Sequence, residues 1–187
     1  MFHVEHKSNF LSILKRSAAS LEIKITDDQG KIFEQYLDYL KAWNNTTNLT
    51  SITSDTEIAI KHFIDSLASL NAERFPHGCL VVDIGTGAGF PGIPIKIMRP
   101  DIRLKLIEPV KKKASFLRYI VGTLKLEQVE IFEGSIEQFA SNRVDSEQSD
   151  YITARGIKFD FILELSQILL KQTGKAMLFL SSPVDPN

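Results

Sequence analysis

Leu80-Val81-Val82-Asp83-Ile84-Gly85-Thr86-Gly87-Ala88-Gly89-Phe90-Pro91-Gly92 is the stretch of this 187-residue chain from which the fold can be read. The apolar residues on both sides of Asp83 form the short run expected of a strand buried on both faces. Glycines at 85, 87, 89 and 92 predict a tight turn into a helix. A glycine in such a turn takes a positive φ without a Cβ penalty and lets a ligand lie against the backbone. Pro91 suits the first turn of the helix that follows, where its missing N–H is not needed. The turn is the expected binding site.

The spacing discriminates between ligands. A dinucleotide fingerprint reads Gly-x-Gly-x-x-Gly and sets a pyrophosphate on the helix N-terminus. Here the pattern is Asp-x-Gly-x-Gly-x-Gly. A carboxylate at the strand end repels a pyrophosphate but suits a ligand with a positive end, such as the ammonium of a methionine moiety. The expected cofactor is therefore S-adenosylmethionine. Arg103 to Ile107 alternates like a strand and closes on Glu108, about 20 residues beyond Gly89, where a carboxylate can take a ribose hydroxyl pair.

Outward from this point the elements alternate. A helix over 91–98 ends at Arg99-Pro100, and a strand over 103–108, a helix over 111–124 and strands over 128–133 and 150–154 follow. A helix over 158–171 and a strand over 175–181 complete the series, with a polar surface helix end and loop between Gln138 and Asp150. Such alternation predicts an α/β, Rossmann-like fold with a mostly parallel sheet covered on both faces. Right-handed crossovers place strands one to three on one side and four and five on the other, leaving a crevice at strand one. Gly85, Glu108, the Glu133-Gly134-Ser135-Ile136-Glu137 turn and Arg155 all fall at strand carboxyl ends around it.

The amino-terminal part reads as helical. Phe33, Tyr36, Leu37, Leu40 and Trp43 recur at helical spacing behind an N-cap at Thr26-Asp27-Asp28, and Asn44-Asn45-Thr46-Thr47-Asn48 is expected to break that helix. A second helix is expected from about Asp55 to Leu70, with Ile58, Phe63, Leu67 and Leu70 buried. His62 and Asp65 share a face of it, either as a local surface pair or beside the glycine loop. Residues 1–75 are thus expected as a helical extension to a core over 76–187, within one domain.

With 43% hydrophobic and 24% charged residues the composition is that of an ordinary globular protein. There is no run of about 18 apolar residues and no basic segment followed by an apolar one near Met1, so neither a membrane span nor a signal peptide is expected and the location reads as cytoplasmic. The single cysteine, Cys79, excludes an internal disulfide and a thiolate zinc cluster, and no metal site is expected. A net charge of −1 argues against wholesale binding to a polyanion. The charge is uneven, however, with nine Lys and Arg against three Asp and Glu between residues 76 and 125. Lys96, Arg99, Arg103, Lys105, Lys111, Lys112, Lys113 and Arg118 are expected around the crevice, as a solvated face or as a surface for a phosphate backbone.

Trp43-Asn44 with Asn48-Leu49-Thr50-Ser51, Lys61-His62-Phe63-Ile64-Asp65-Ser66-Leu67, the run from Asp83 to Pro94, Lys112, Lys113, Phe116 and Leu117, and Thr153-Ala154-Arg155 carry a resemblance. Over roughly residues 20–180 the chain resembles the bacterial glucose-inhibited division protein B family, the guanine-N7 methyltransferases of small-subunit ribosomal RNA. The resemblance implies methyl transfer from S-adenosylmethionine to a guanine N7, with ribosomal RNA of the small ribosomal subunit as partner. No membrane is expected, and a monomer. It also implies cofactor contacts from Gly85, Gly87, Phe90, the backbone around Ile136 and Glu137, and Arg155, with Glu108 on the ribose. Arg155 is the expected catalytic-site residue, in a positioning role: attack by a ring nitrogen lone pair releases no proton and needs no general base. Two departures stand out. Ser135 occupies a position where the family usually shows arginine, and after Leu180 the sequence reads Ser181-Ser182-Pro183 and stops at Asn187, where the family usually continues. Rival readings are a methyltransferase of another substrate and a short relative that binds cofactor or RNA without turnover. A nicotinamide dehydrogenase is disfavoured by the glycine spacing.

Overall fold

In the computed structural model, which describes residues 2–141 and 147–180, five strands run parallel. They are β1 (Leu80–Ile84), β2 (Arg103–Glu108), β3 (Val129–Glu133), β4 (Ser149–Arg155) and β5 (Leu170–Phe179), in the order β3-β2-β1-β4-β5. Residues 142–146 of the polar loop expected after Gln138, and the tail from Ser181, lie outside the described residues.

All five residues of β1 are buried, because the strand is central and both faces of the sheet are covered. Val81 points into one apolar cluster with Ile93, Leu104 and Phe116, and Leu80, Val82 and Ile84 point into the other with Ile107, Ile152 and Ile162. The register fixes the site. Ile84 pairs with Ile107 on one side and Ala154 on the other, so Gly85, Glu108 and Arg155 leave the sheet along one row.

The α/β alternation holds with shifted boundaries. Helices α6 (Gly92–Met98), α7 (Lys111–Thr123), α8 (Ile136–Ser141) and α9 (Phe159–Leu169) connect the strands, and they follow five α-helices, α1 (Phe2–Ser20), α2 (Asp27–Thr47), α3 (Asp55–Ile58), α4 (Asp65–Leu67) and α5 (Ser69–Ala72), with a π-helical segment between α3 and α4. The last strand begins at Leu170, directly behind α9, five residues before its expected start.

Among the amino-terminal helices, α1 was not anticipated as a separate element. It presents Phe10, Leu14 and Ala18, one residue in four, to the core. Thr26 caps α2 through a reciprocal box: its hydroxyl accepts from the Gln29 N–H at 3.2 Å, and the Gln29 side chain accepts from the Thr26 N–H at 3.0 Å. The helix runs to Thr47 and ends on Asn48 at φ 51°, three residues past the expected break at Asn44. Asn44 does not compete with its own helix; its side chain accepts from the Thr50 N–H and donates to the Thr50 carbonyl, both at 2.9 Å.

The expected helix from Asp55 to Leu70 is helical but not uniform, since Ala59–Ile64 between α3 and α4 forms a π-helical segment. Its Phe63 is the hub of the helical layer, meeting Phe10, Phe33, Tyr36 and Phe90 edge-on at ring-centre distances of 5.2–5.5 Å. Removing such a ring costs about 3–5 kcal/mol.

Candidate cofactor crevice

The glycine turn is held from below by the sheet and from the side by α2. The Thr86 N–H donates to the Ile107 carbonyl at 3.2 Å, and the Thr86 carbonyl accepts from Gly89 and Phe90 N–H at 2.9 and 3.0 Å. Gly89 sits at φ +98°, and a Cβ there would lie 2.5 Å from Ile93 Cδ1 and 2.6 Å from the Tyr36 hydroxyl oxygen, so only glycine fits. That hydroxyl reaches the turn because it donates to the Ala88 carbonyl at 2.5 Å.

Asp83 does not face a ligand. The expectation that its carboxylate would meet a positive group is corrected by burial: the residue is 0% exposed, and its oxygens accept from Thr86 Oγ1 at 2.5 Å, Thr153 Oγ1 at 2.8 Å and the Gly92 N–H at 2.9 Å. Desolvation pushes its carboxyl up to about 6 against the pull of those three donors. Asp83 ties β1, β4 and the start of α6 together, which is a structural role.

Glu108 is the carboxylate at the crevice. It is 3% exposed, with Oε2 accepting from the Gly87 N–H at 2.8 Å and Oε1 from the Val110 N–H at 2.9 Å. A carboxylate accepts about four hydrogen bonds, so capacity for a hydroxyl pair remains. Beside it a cavity of about 180 Å³ is lined by Gly85, Ile107, Pro109, Ile136, Glu137 and Ile157. Ile157 closes over the turn, since a Cβ on Gly85 (φ +63°) would come 3.1 Å from its Cδ1. Ser135, the departure noted above, begins α8 with a capping box: its N–H donates to Gln138 Oε1 at 2.8 Å and its Oγ accepts from the Gln138 N–H at 3.3 Å.

Arg155, at the end of β4, turns toward the π-helical segment. Its Nη1 lies 3.3 Å from His62 Nδ1, its Nη2 donates to the Lys61 carbonyl, and the same nitrogen is 3.4 Å from Asp65 Oδ2. A π-turn alters the backbone spacing of a helix and often marks a functional position. A guanidinium only donates, so His62 Nδ1 accepts and the proton sits on Nε2, which faces Thr50 Oγ1 at 2.8 Å. Burial, and then the Arg155 charge, lower the imidazole to about 4, so the ring is neutral. Burial raises the Asp65 carboxyl while Arg155 opposes that rise. The His62 ring stacks on Phe90 at 4.8 Å, and Phe90 stacks on Tyr36 at 5.3 Å. His62 and Asp65 therefore stand beside the glycine loop rather than as an isolated surface pair. Arg155, Lys61 and Asp65 also line a second cavity, of about 670 Å³, with Ile60, Ile64 and Phe179.

Most of the basic cluster serves the fold. Lys96 is 1% exposed and donates to the Pro100 and Ile102 carbonyls; Arg99 pairs with Asp101 at 2.6 Å, Arg103 with Glu147 at 2.6 Å, Lys105 with Glu130 at 2.9 Å and Arg118 with Glu133 at 2.8 Å. Only Lys111, Lys112 and Lys113 of the eight, in the first turn of α7, have no ion pair among the described residues.

The sequence-derived residues are thus joined by contact: Gly85, Ile136 and Glu137 across one cavity, Gly87 through Glu108, and Phe90 through His62 to Arg155. Tyr36, Thr50 and Ile157 had not been assigned to the site. Tyr36 fits a core position in its helix, and nothing in its local sequence signals the hydroxyl's long-range partner.

A family model described as rRNA small subunit methyltransferase G matches residues 29–182. Curated relatives named Ribosomal RNA small subunit methyltransferase G include one from Desulforamulus reducens, 41% identical over 144 residues, covering 77% of this chain and 60% of the relative. Another, from Pelotomaculum thermopropionicum, is 42% identical with the same coverage. The chain spans about 60% of the length of these relatives. Among solved structures, coclaurine N-methyltransferase bound to N-methylheliamine and SAH aligns with a TM-score of 0.56 at 15% identity, covering 92% of this chain and 57% of that one. The C-terminal domain of precorrin-6Y C5,15-methyltransferase from Rhodobacter capsulatus aligns with a TM-score of 0.52 at 18% identity, covering 68% and 63%. At these identities the structural likeness establishes the Rossmann-like methyltransferase fold.

Proposed function

This chain belongs to the rRNA small subunit methyltransferase G family, and from that premise we propose that it transfers a methyl group from S-adenosylmethionine to N7 of a guanine in small-subunit ribosomal RNA. It acts in the cytoplasm, as a monomer of one domain with residues 1–75 as its helical extension.

The crevice fits that cofactor. A Cβ at Gly87 would meet nothing closer than the Gly85 carbonyl at 4.0 Å, so the backbone there lies open to a ligand. Gly85 and Gly87 would hold the cofactor through their backbone, Glu108 would accept from its ribose hydroxyls, and the backbone at Ile136 and Glu137 would border the adenine. Phe90 would supply an apolar wall, and Arg155 a guanidinium for a carboxylate or for the target nucleotide. When bound, S-adenosylmethionine supplies a methyl group on a positively charged sulfur.

One observation carries the choice of chemistry. His62 accepts from Arg155 on one ring nitrogen and has its proton facing Thr50 on the other, and Asp83 and Glu108 already accept fixed donors. Asp65, the remaining carboxylate near Arg155, stands 3.4 Å from that guanidinium as its counter-ion, so the side chains gathered here hold one another in place, which is alignment. A guanine N7 attacks through an in-plane lone pair and loses no proton, so alignment is what it requires.

The test is transfer of labelled methyl from S-adenosylmethionine to small ribosomal subunits isolated from cells that lack the activity, followed by identification of the labelled base. Label on one guanine N7 is expected. A folded protein that binds the cofactor and transfers no label would overturn the assignment.

A further inference from the structure

Beside the crevice, α2 and α7 pack together through aromatic rings. Trp43 lies 5.6 Å from Phe116 and 5.4 Å from Tyr119, and Tyr39 meets Tyr119 edge-on at 5.3 Å. Phe116 is buried, but Tyr119 is 41% exposed and Trp43 half-buried, so ring surface faces solvent. Trp43, one turn after Tyr39 on α2, shares Tyr119 with it and reaches back to Phe116, one turn earlier on α7, so the two helices run antiparallel and the end of α2 lies toward the start of α7.

That start is Lys111-Lys112-Lys113. A helix N-terminus disfavours cations, the first turn of α7 holds no acidic residue and no side-chain cap, and no carboxylate lies within ion-pair distance of the three lysines among the described residues. The other five of the eight cations named above, Lys96, Arg99, Arg103, Lys105 and Arg118, are neutralised or bound within the fold. Lys112, Ser115 and Tyr119 follow one another along a single face of α7. The surface is also continuous with the crevice: Asn44, next to Trp43, holds Thr50, which meets His62, which stacks on Phe90.

We propose that this surface holds the RNA, with an unpaired base stacked on Tyr119 and Trp43 and the adjoining phosphates neutralised by Lys111, Lys112 and Lys113. The inference rests on the reading of the chain as an RNA methyltransferase and adds the place where the RNA is gripped. Exposed rings accept the face of any unstacked base, and clustered lysines without carboxylates match a chain of phosphates.

Trp43 is the only tryptophan, so its fluorescence reports on the platform directly. The probe is a single-stranded RNA of about 12 nucleotides, titrated into the full chain at several salt concentrations, with S-adenosylhomocysteine binding measured in parallel. RNA is expected to quench Trp43. Tyr119→Ser should weaken binding about five- to hundredfold while Tyr119→Phe retains it, and each of Lys112→Gln and Lys113→Gln should reduce the salt slope by about 0.7. None of these variants should alter S-adenosylhomocysteine affinity. If RNA binds with Trp43 unquenched, and Tyr119→Ser and the lysine variants bind as the wild type does, the platform is wrong and the methyltransferase reading stands. If S-adenosylhomocysteine binds but RNA does not, even at about 50 mM salt, both the RNA partner and the platform are overturned.

Discussion

Nδ1 of His62 and Nη1 of Arg155 are 3.3 Å apart, and only one protonation state of the imidazole permits that contact. A second proton on the ring would set two donors against each other. Because His62 is lowered to about 4, its folded-state value lies below its unfolded value near 6.5, and the folded protein binds fewer protons than the unfolded chain between those limits. The stability this residue confers is therefore present above about pH 6.5 and lost as the pH falls toward 4. Discounted for the partial exposure of the ring, the loss is about 1 kcal/mol, or roughly 3 °C in Tm. His62→Gln keeps an acceptor for Arg155 without titrating. Thermal melts at pH 7 and pH 5 should show the wild type losing more Tm than His62→Gln, and equal losses would refute the assignment.

Arg155→Ala should reduce methyl transfer by about a hundredfold, the scale of a misplaced reactive geometry. Its effect on stability should stay near 1 kcal/mol, because the guanidinium is partly exposed. Arg155→Lys should recover little, since an ammonium cannot reach the Lys61 carbonyl, His62 and Asp65 with one planar group. Turnover measured beside denaturant melts checks the split; a variant that unfolds in proportion to its lost turnover would make Arg155 a structural residue.

The two carboxylates of the crevice should separate cleanly. Asp83→Ala strands three buried donors and should cost about 3 kcal/mol of stability. Glu108→Gln should cost less and weaken S-adenosylhomocysteine binding at least about tenfold, through lost charge-assisted hydrogen bonds. Urea denaturation and calorimetric titration of both variants decide it. Asp83 also has the opposite pH sign to His62: raised to about 6, it takes up a proton in the folded state before the unfolded chain does, so its ionisation works against folding as the pH rises through 6.

Gly85→Arg should abolish cofactor binding, because the side chain starts 3.1 Å from Ile157 at a φ of +63° and has only the crevice to enter. Calorimetry with S-adenosylhomocysteine is the check, and wild-type affinity in this variant would place the cofactor elsewhere.

Tyr36→Phe removes one hydroxyl and leaves the ring stack in place. It should cost about 1–2 kcal/mol, because the Ala88 carbonyl loses its buried donor, and it should loosen the glycine turn enough to weaken S-adenosylhomocysteine binding. Phe33→Leu, which disturbs the core at its edge-on contact with Phe63 and removes no hydrogen bond from the turn, should destabilise without that loss of affinity.

The sheet was legible because β1 announces itself as an apolar run around Asp83 and β2 as an alternating stretch closing on Glu108, and the alternation of strands and helices then gives parallel topology and the strand order. Contacts between side chains far apart in sequence were not legible. Asp83 was taken for a ligand residue because its partner Thr153 lies 70 positions away. The basic cluster was taken for a surface because nothing local shows that Lys96 turns inward onto carbonyls. The π-helical segment escaped because Ala59 and Phe63, or Phe63 and Leu67, keep ordinary helical spacing. The candidate site was half visible: its glycines and Glu108 follow from spacing, whereas Tyr36, Thr50 and Ile157 reach it only through the tertiary fold.

Tyr36, Phe90 and His62 stack as three rings from three separate parts of the chain. Docking the helical layer on the sheet and shaping the ligand loop are consequently one linked equilibrium. A ligand at a hundredfold its Kd adds about 2.7 kcal/mol to the folded state, and the shared rings distribute that gain into α2 and the π-helical segment. Amide hydrogen exchange should slow in those helices together with the loop, so that occupancy of the crevice is felt through the helical layer as well as at the turn.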